Sequence, residues 1–354
     1  MSITSMPSVI NSFGFGFFAK PSKLLVLAII SSLILGAIGC GKSDNELIVY
    51  SSRTSSLVQP LLEQYASDTG TNINVKYAST ASIVATLLEE GDNVRPDVVY
   101  LADPAGWAVL SESDILSELP DKLLNEVDEK FRSDNGEWVG ISGRSKVVVY
   151  NTEKINPDTD LPTSIMDFTD PKWKGRIGWA PTHGEWQITP MAIRIERGED
   201  EAKRWLEGIK ANQPRVYPNL ISIVYAAGQG EIDVGFVNHY YVPRFIAEEG
   251  PGFGARNFYL GKGDPGAVID VAAVGIVDTT ENRSRAERFV EYMLGAEAQK
   301  YFSEQTHEYP LSAGVKPSGN LPSLDSLEPP DINPAELSQL EATLKMLRDA
   351  DIIP

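Results

Sequence analysis

Two long β-branched runs constrain the fold of this 354-residue chain more than any other feature. One is Lys146-Val-Val-Val-Tyr150, the other Val268-Ile-Asp-Val-Ala-Ala-Val-Gly-Ile-Val277. Neither alternates apolar with polar residues, so each needs cover on both faces. A fully buried strand satisfies that need, and so does a strand that leaves one lobe and enters the next. Around these runs, short apolar stretches alternate with amphipathic ones, the sequence form of an α/β protein whose helices cover a sheet. Leu47–Tyr50, Asn74–Tyr77 and Asp97–Leu101 predict strands. Between them, Thr54 or Ser55 caps a helix that carries Leu57, Leu61, Leu62 and Tyr65 on one face and ends at Gly70, and residues 81–90 predict a second helix. This β-α-β-α-β unit directs its strand ends at a crevice. Residues 176–180 and 231–237 read as further strands, and residues 202–209 and Arg283–Leu294 as helices. A terminal helix is predicted from Asn333-Pro-Ala-Glu336, in capping-box order, with Leu337, Leu340, Leu344 and Leu347 sharing one face.

Length allows two lobes and is marginal for three. There are 49 acidic against 31 basic residues, a net charge of −18, which excludes a nucleic-acid partner because that binding rests on a basic surface. One cysteine rules out an internal disulfide, a cysteine-ligated zinc site and an iron–sulfur cluster, and three histidines leave little for a histidine cage. Lys20 and Lys23 precede an apolar run from Leu24 that closes on Ala37-Ile-Gly-Cys40, the order of a secretory leader with a lipobox. Such a run also suits a transmembrane anchor. We read it as a lipoprotein signal over residues 1–40, because Gly41–Glu46 follows as a short charged tether. Either way the body lies outside the cytoplasm, anchored to the membrane through lipidated Cys40 or periplasmic. Removing residues 1–40, which carry two lysines and no acids, takes the charge to −20.

The most informative tetrapeptide is Asn238-His239-Tyr240-Tyr241, at the end of the 231–237 strand. On a continuing strand the two tyrosines point to opposite faces; at a strand end entering a turn both can reach one cleft. Paired phenols suit a hard, highly charged cation, which can hold as phenolate a group whose free pKa is about 10. Ferric iron is the natural candidate. Amphipathic packing explains a tyrosine pair equally well, and the residues alone leave both readings open. His239 alternates away from Tyr240 and reads as packing or support, and His307 stands apart from any constellation. No nucleophile elbow, Walker loop or His-Glu-x-x-His motif suggests catalysis, and the chain reads as a non-enzyme.

The segments Ile48-Val-Tyr50, Ser142-Gly-Arg-Ser-Lys-Val-Val-Val-Tyr150, Pro171-Lys-Trp-Lys-Gly-Arg-Ile-Gly-Trp-Ala-Pro-Thr182, Gly230-Glu-Ile-Asp233, Asn238–Tyr241, Asp264-Pro-Gly-Ala267 and Glu308-Tyr-Pro-Leu311 together resemble the bacterial ferric-ion-binding proteins, solute-binding components of iron(III) ABC importers. The resemblance runs from Glu46 to about Tyr309. It implies a two-lobed α/β fold of the type II periplasmic-binding-protein kind, closing on its ligand like a hinged trap, with crossing strands at residues 145–150 and about 268–274. It implies lobe 1 as residues 47–144 plus about 271–312, and lobe 2 as 145–270 plus about 313–354. By position, Tyr240 and Tyr241 match the iron-ligating pair. Arg144, Thr182, His183, Gly184 and Asn238 match the surroundings of an anion, such as carbonate, phosphate or citrate, that shares the metal. Partners implied are an ABC permease and its ATPase, with the protein a monomer.

The chain departs from that pattern. Where many members carry a histidine after the first strand and a glutamate after the third, it has Thr54 and Ala102, with Asp103 one residue along as a substitute. Trp186 stands where others recruit a further tyrosine, and Glu185 is a possible extra carboxylate. Two other readings therefore stand beside ferric capture. One is the same scaffold holding a small organic cation or a phosphonate-type solute, with Trp107, Trp186 and Tyr225 as a cation box. The other is a secreted enzyme using tyrosine-bound iron.

Overall fold

A computed structural model describes residues 45–319 and 321–354. The leader, Cys40 and most of the expected tether lie outside the described residues. The tether ends sooner than expected, since β1 (Glu46–Ser51) already includes Glu46.

β1 pairs in parallel with β2 (Asn72–Tyr77) and β3 (Val98–Leu101). The intervening helices run over Ser55–Thr69 and Thr80–Glu90, and the Ser79 side chain caps the second by accepting from the Ser82 amide. Thr54 is the first N-cap, and Gly70 ends that helix at φ 67°, a left-handed geometry that glycine adopts without steric cost. β4 (Leu116–Ser117) adds a short antiparallel edge to β10 (Ile269–Val277), which also pairs antiparallel with β3.

β5 (Trp138–Asn151) is the organising strand. Its first half pairs with β10 and with β11 (Tyr309–Pro310), and its second half pairs with β8 (Val234–Asn238) and β9 (Ala255–Phe258). β6 (Ile177–Trp179) and β7 (Arg215–Val216) complete the second half, giving the strand order β2-β1-β3-β10-β5-β8-β6-β7. One continuous strand thus serves two sheets, and its partners change between Ser145 and Lys146. β10 begins beside that point, where the Lys146 amide donates to the Val268 carbonyl at 3.0 Å.

Two separate apolar cores follow. The first joins residues between Leu47 and Ile141 to β10, the Arg283–Leu294 helix and Leu311. The second runs from Val147 to Ala267 and takes in Met346 and Leu347. A smaller cluster of Ile188, Met191, Ala192, Val268, Ile332 and Leu337 lies behind the junction.

The terminal helix is not continuous. Pro334–Ser338 forms a 3₁₀ turn with the expected Asn333/Glu336 capping box, the chain leaves helical geometry at Gln339, and an α-helix runs from Leu340 to Asp349. The break resets the helical phase, so Thr343, Met346 and Leu347 are the buried positions, while Leu344 is half-buried.

Candidate functional site

The site is built at the ends of parallel strands, where an α/β sheet opens its crevice. β3 leads to Ala102 and Asp103, β6 to the loop before the Gly184–Arg197 helix, and β8 to Asn238 and the tyrosines. Strand register does the rest. Arg144 and Lys146 are two apart on β5 and so share a face. Asp270 lies directly opposite Arg144, and Asn238 directly opposite Lys146. All four are buried.

Their contacts form one network. The Arg144 Nε donates to Asp270 Oδ1 at 2.7 Å, its Nη2 to the Ala102 carbonyl, and its Nη1 lies 3.5 Å from Glu185 Oε1. The Lys146 Nζ donates to Glu185 Oε2 at 3.1 Å, Asp270 Oδ2 at 3.0 Å and Asn238 Oδ1 at 2.5 Å. Asn238 in turn donates through Nδ2 to Glu185 Oε2 at 2.9 Å. Two cations thus face two carboxylates. Burial alone would raise the Glu185 carboxyl, but Arg144, Lys146 and the hydrogen bonds from Asn238 and Lys146 outweigh it and hold the group well below the usual carboxylate range. Losing one partner from such a buried set leaves an uncompensated charge, at a cost of about 3–5 kcal/mol.

The tyrosines follow closely on Asn238 of this network. Tyr240 already has helical backbone angles, φ −72° and ψ −15°, and Tyr241 opens the helix to Glu249. Successive helical residues diverge far less than successive strand residues, so the two rings lie side by side, with centroids 4.3 Å apart and planes at 42°. Burial is the main cause that raises both phenols above their ordinary pKa. Tyr241 and Glu185 add to the rise at Tyr240, and Arg144 opposes it. The groups around Tyr240 are therefore charged and polar as well as apolar.

His239 is fully buried and meets the Tyr240 ring edge-on at 5.9 Å: its Nδ1 accepts from the Ser145 amide at 3.1 Å, and its ring lies against Tyr309 at 4.5 Å. Burial pushes its pKa down to about 4.

Other expected positions fall outside this group. Thr182 is exposed, and Gly184, exposed too, opens the helix behind a half-buried His183 at the N-cap. Thr54 is exposed and makes no capping bond. Asp103 accepts from Thr80 Oγ1, and burial raises its carboxyl. Trp186, offered above as a further site residue, is instead core: it is 1% exposed, between Trp179 at 5.7 Å and Trp205 at 6.2 Å. The cation box does not form either, since Trp107 is buried in the first core, Trp186 in the second, and Tyr225 is 47% exposed.

Lys146, Asp270, Arg53 and Glu308 were not anticipated. Arg53 Nη2 holds both carboxylate oxygens of Glu308, at 2.6 and 2.7 Å, and Ser142 Oγ donates to the same carboxylate at 2.6 Å. The signal was present for two of them: a lysine heading one β-branched run and an aspartate interrupting the other are costly to bury unless paired. Among the described residues, no group of three or more His, Cys, Asp and Glu side chains gathers into a metal cage.

Residues 96–332 match the family model described as bacterial extracellular solute-binding protein. The chain belongs to that family. This solute-binding protein is 30% identical over 308 residues to the major ferric iron-binding protein of Neisseria meningitidis, covering 86% of this chain and 92% of the relative. It superimposes on iron-bound HitA from Pseudomonas aeruginosa with a TM-score of 0.81 at 30% identity, over 86% of this chain and 99% of HitA. The Trichodesmium protein solved in complex with iron and citrate gives 0.77 at 25% identity, over 87% and 100%. The solute-binding protein thus has the two-lobed fold that the resemblance implied.

Proposed function

We propose that this chain is an extracytoplasmic solute-binding lipoprotein that captures ferric iron through Tyr240 and Tyr241 and delivers it to an ABC permease. The observation that carries this reading is the phenol pair itself: two rings 4.3 Å apart at a strand end, beside a buried network of fixed charge. The names of the relatives, which bind ferric iron, support it.

Chemically, each phenol gives up its proton as it takes a place on the metal, and a trivalent cation favours that exchange although burial opposes it. Two phenolates leave one positive charge unmatched. Arg144 and Asn238, with the Thr182–Gly184 loop nearby, border the side from which an anionic group completes the charge; carbonate, phosphate and citrate are the free anions of suitable chemistry.

Capture is coupled to closure of lobe 1, residues 47–144 with about 271–312, on lobe 2, residues 145–270 with about 313–354. The cargo stabilises the closed form by its differential affinity. β5 and β10 carry both the lobe crossing and the charges beside the cargo, so cargo and hinge share a structure. Lipidation of Cys40 tethers the protein at the membrane where the permease works.

Native mass spectrometry with elemental analysis of protein purified without chelators tests the reading. One iron per chain supports it; a retained organic solute with no iron overturns it in favour of the organic-solute alternative.

A further inference from the structure

The cationic seat beside the phenols already holds a carboxylate. Glu185 is the second residue of the Gly184–Arg197 helix, where a negative charge also suits the helix dipole. Its Oε2 accepts from both Lys146 and Asn238, while its Oε1 lies 3.5 Å from Arg144 and has no close hydrogen bond. The side chain is 17% exposed, whereas those of Arg144 and Asp270 are almost wholly enclosed. Glu185 is the member of the network that meets the crevice.

Taking Glu185 away in thought defines what the seat is. Arg144 and Lys146 would face Asp270 alone, leaving one net positive charge, an ammonium and a guanidinium hydrogen without acceptors, and a free amide donor on Asn238. Guanidinium, ammonium and amide together form a recognition site for a small oxyanion. In this chain the occupant is tethered. A side chain fixed on a helix acts at an effective concentration in the millimolar range or above, so a free anion competes poorly with it. Glu185 is also close enough to act electrostatically on both tyrosines.

We propose that Glu185 is the protein's own anion: its carboxylate fills the cationic seat and presents the loosely held Oε1 to the metal, so that ferric iron is bound without carbonate, phosphate or citrate. This rests on the ferric reading above and names the group that takes the place of a free anion. It also gives a physical reason why the exposed Thr182 and Gly184 are not drawn into the network.

The test compares full-length wild type with Glu185→Gln, which keeps the shape and one acceptor, and Glu185→Ala. Each is loaded with ferric iron in buffers supplying carbonate, phosphate or citrate in turn. Native mass spectrometry gives the anion count per iron, and competition titration gives the affinity. The expected wild-type species carries iron and no anion, with an affinity that changes less than about twofold between buffers. Both variants are expected to carry one anion per iron and to vary by about tenfold or more with the anion supplied, the scale on which groups around a metal act. Wild type carrying one anion per iron, or variants that bind iron tightly with no anion, would overturn the inference and leave the ferric reading intact. Wild type that takes no iron in any buffer would overturn the ferric reading itself, and the inference with it.

Discussion

The two sides of the junction use buried charge in opposite ways. On the first-core side, Arg53, Glu308 and Ser142 close on one another: the carboxylate accepts from both partners, and the arginine and glutamate side chains are 4% and 0% exposed. On the second-core side, Lys146, Asn238 and Glu185 form a network open at one corner, and the two phenols sit beside it. In the first arrangement both carboxylate oxygens are taken by protein donors, although Arg53 Nε is left without a partner. The second holds its groups in place yet leaves oxygen donors for something else. Under the proposed reading, the difference assigns the cargo to one lobe and leaves the other to close over it.

The largest effect that can break this asymmetry is removal of the phenols. Groups that merely surround a metal are worth 10–100-fold, so replacing two ligands in Tyr240→Phe/Tyr241→Phe is expected to weaken ferric binding by at least about 10⁴-fold. Thermal unfolding of the iron-free protein should change far less. A loss of under tenfold in competition titration would mean that the donors lie elsewhere.

Arg53→Met comes next. It strands Glu308 as a buried charge and should destabilise the fold by about 3–5 kcal/mol in urea titration. Adding Glu308→Gln should recover much of that loss. If Arg53→Met instead abolished iron binding without altering stability, the first-core side would be part of the cargo site.

The same pair predicts a pH dependence. Burial alone would raise the Glu308 carboxyl, but Arg53 and Arg144, with hydrogen bonds from Arg53 and Ser142, hold it below its ordinary range. Its contribution to stability is therefore complete above the unfolded value of about 4.3 and is lost as pH falls through the lower folded value. Unfolding free energies from urea titration between pH 6 and pH 3 should fall more steeply for wild type than for Arg53→Met/Glu308→Gln. Equal slopes would remove Glu308 from the account.

Thr54→Ala should do least. The side chain is exposed and makes no capping bond, so stability and iron affinity are expected to stay within about 0.5 kcal/mol of wild type. A tenfold loss of iron affinity would give lobe 1 a ligand and end the asymmetry.

Much of this was legible in the chain, for physical reasons. The β-branched runs around Val147 and Val271 announced strands covered on both faces, and the capping residues Thr54 and Gly70 bounded the first helix. That the two tyrosines could share one side was readable from their place at a strand end entering a turn, and the rings do lie together, but the residues alone left packing and ligation both open. What could not be read was pairing across distance. Asp270 and Arg144 lie 126 residues apart, Arg53 and Glu308 lie 255 apart, and only strand register and lobe apposition bring them together. Trp186 misled for a related reason: it neighbours the anion loop in sequence, but the first turn of its helix points it inward, onto Trp179 and Trp205. The break at Gln339 carried no glycine or proline signal, and nothing local explains it.

Resonance Raman spectroscopy of the ferric-loaded protein, excited in its visible absorption band, tests the central claim most directly. Phenolate ring vibrations are expected in wild type, weakened in Tyr240→Phe and in Tyr241→Phe, and absent from the double variant. Iron-loaded wild type without phenolate modes, or a spectrum unchanged in the double variant, would contradict capture by these two residues.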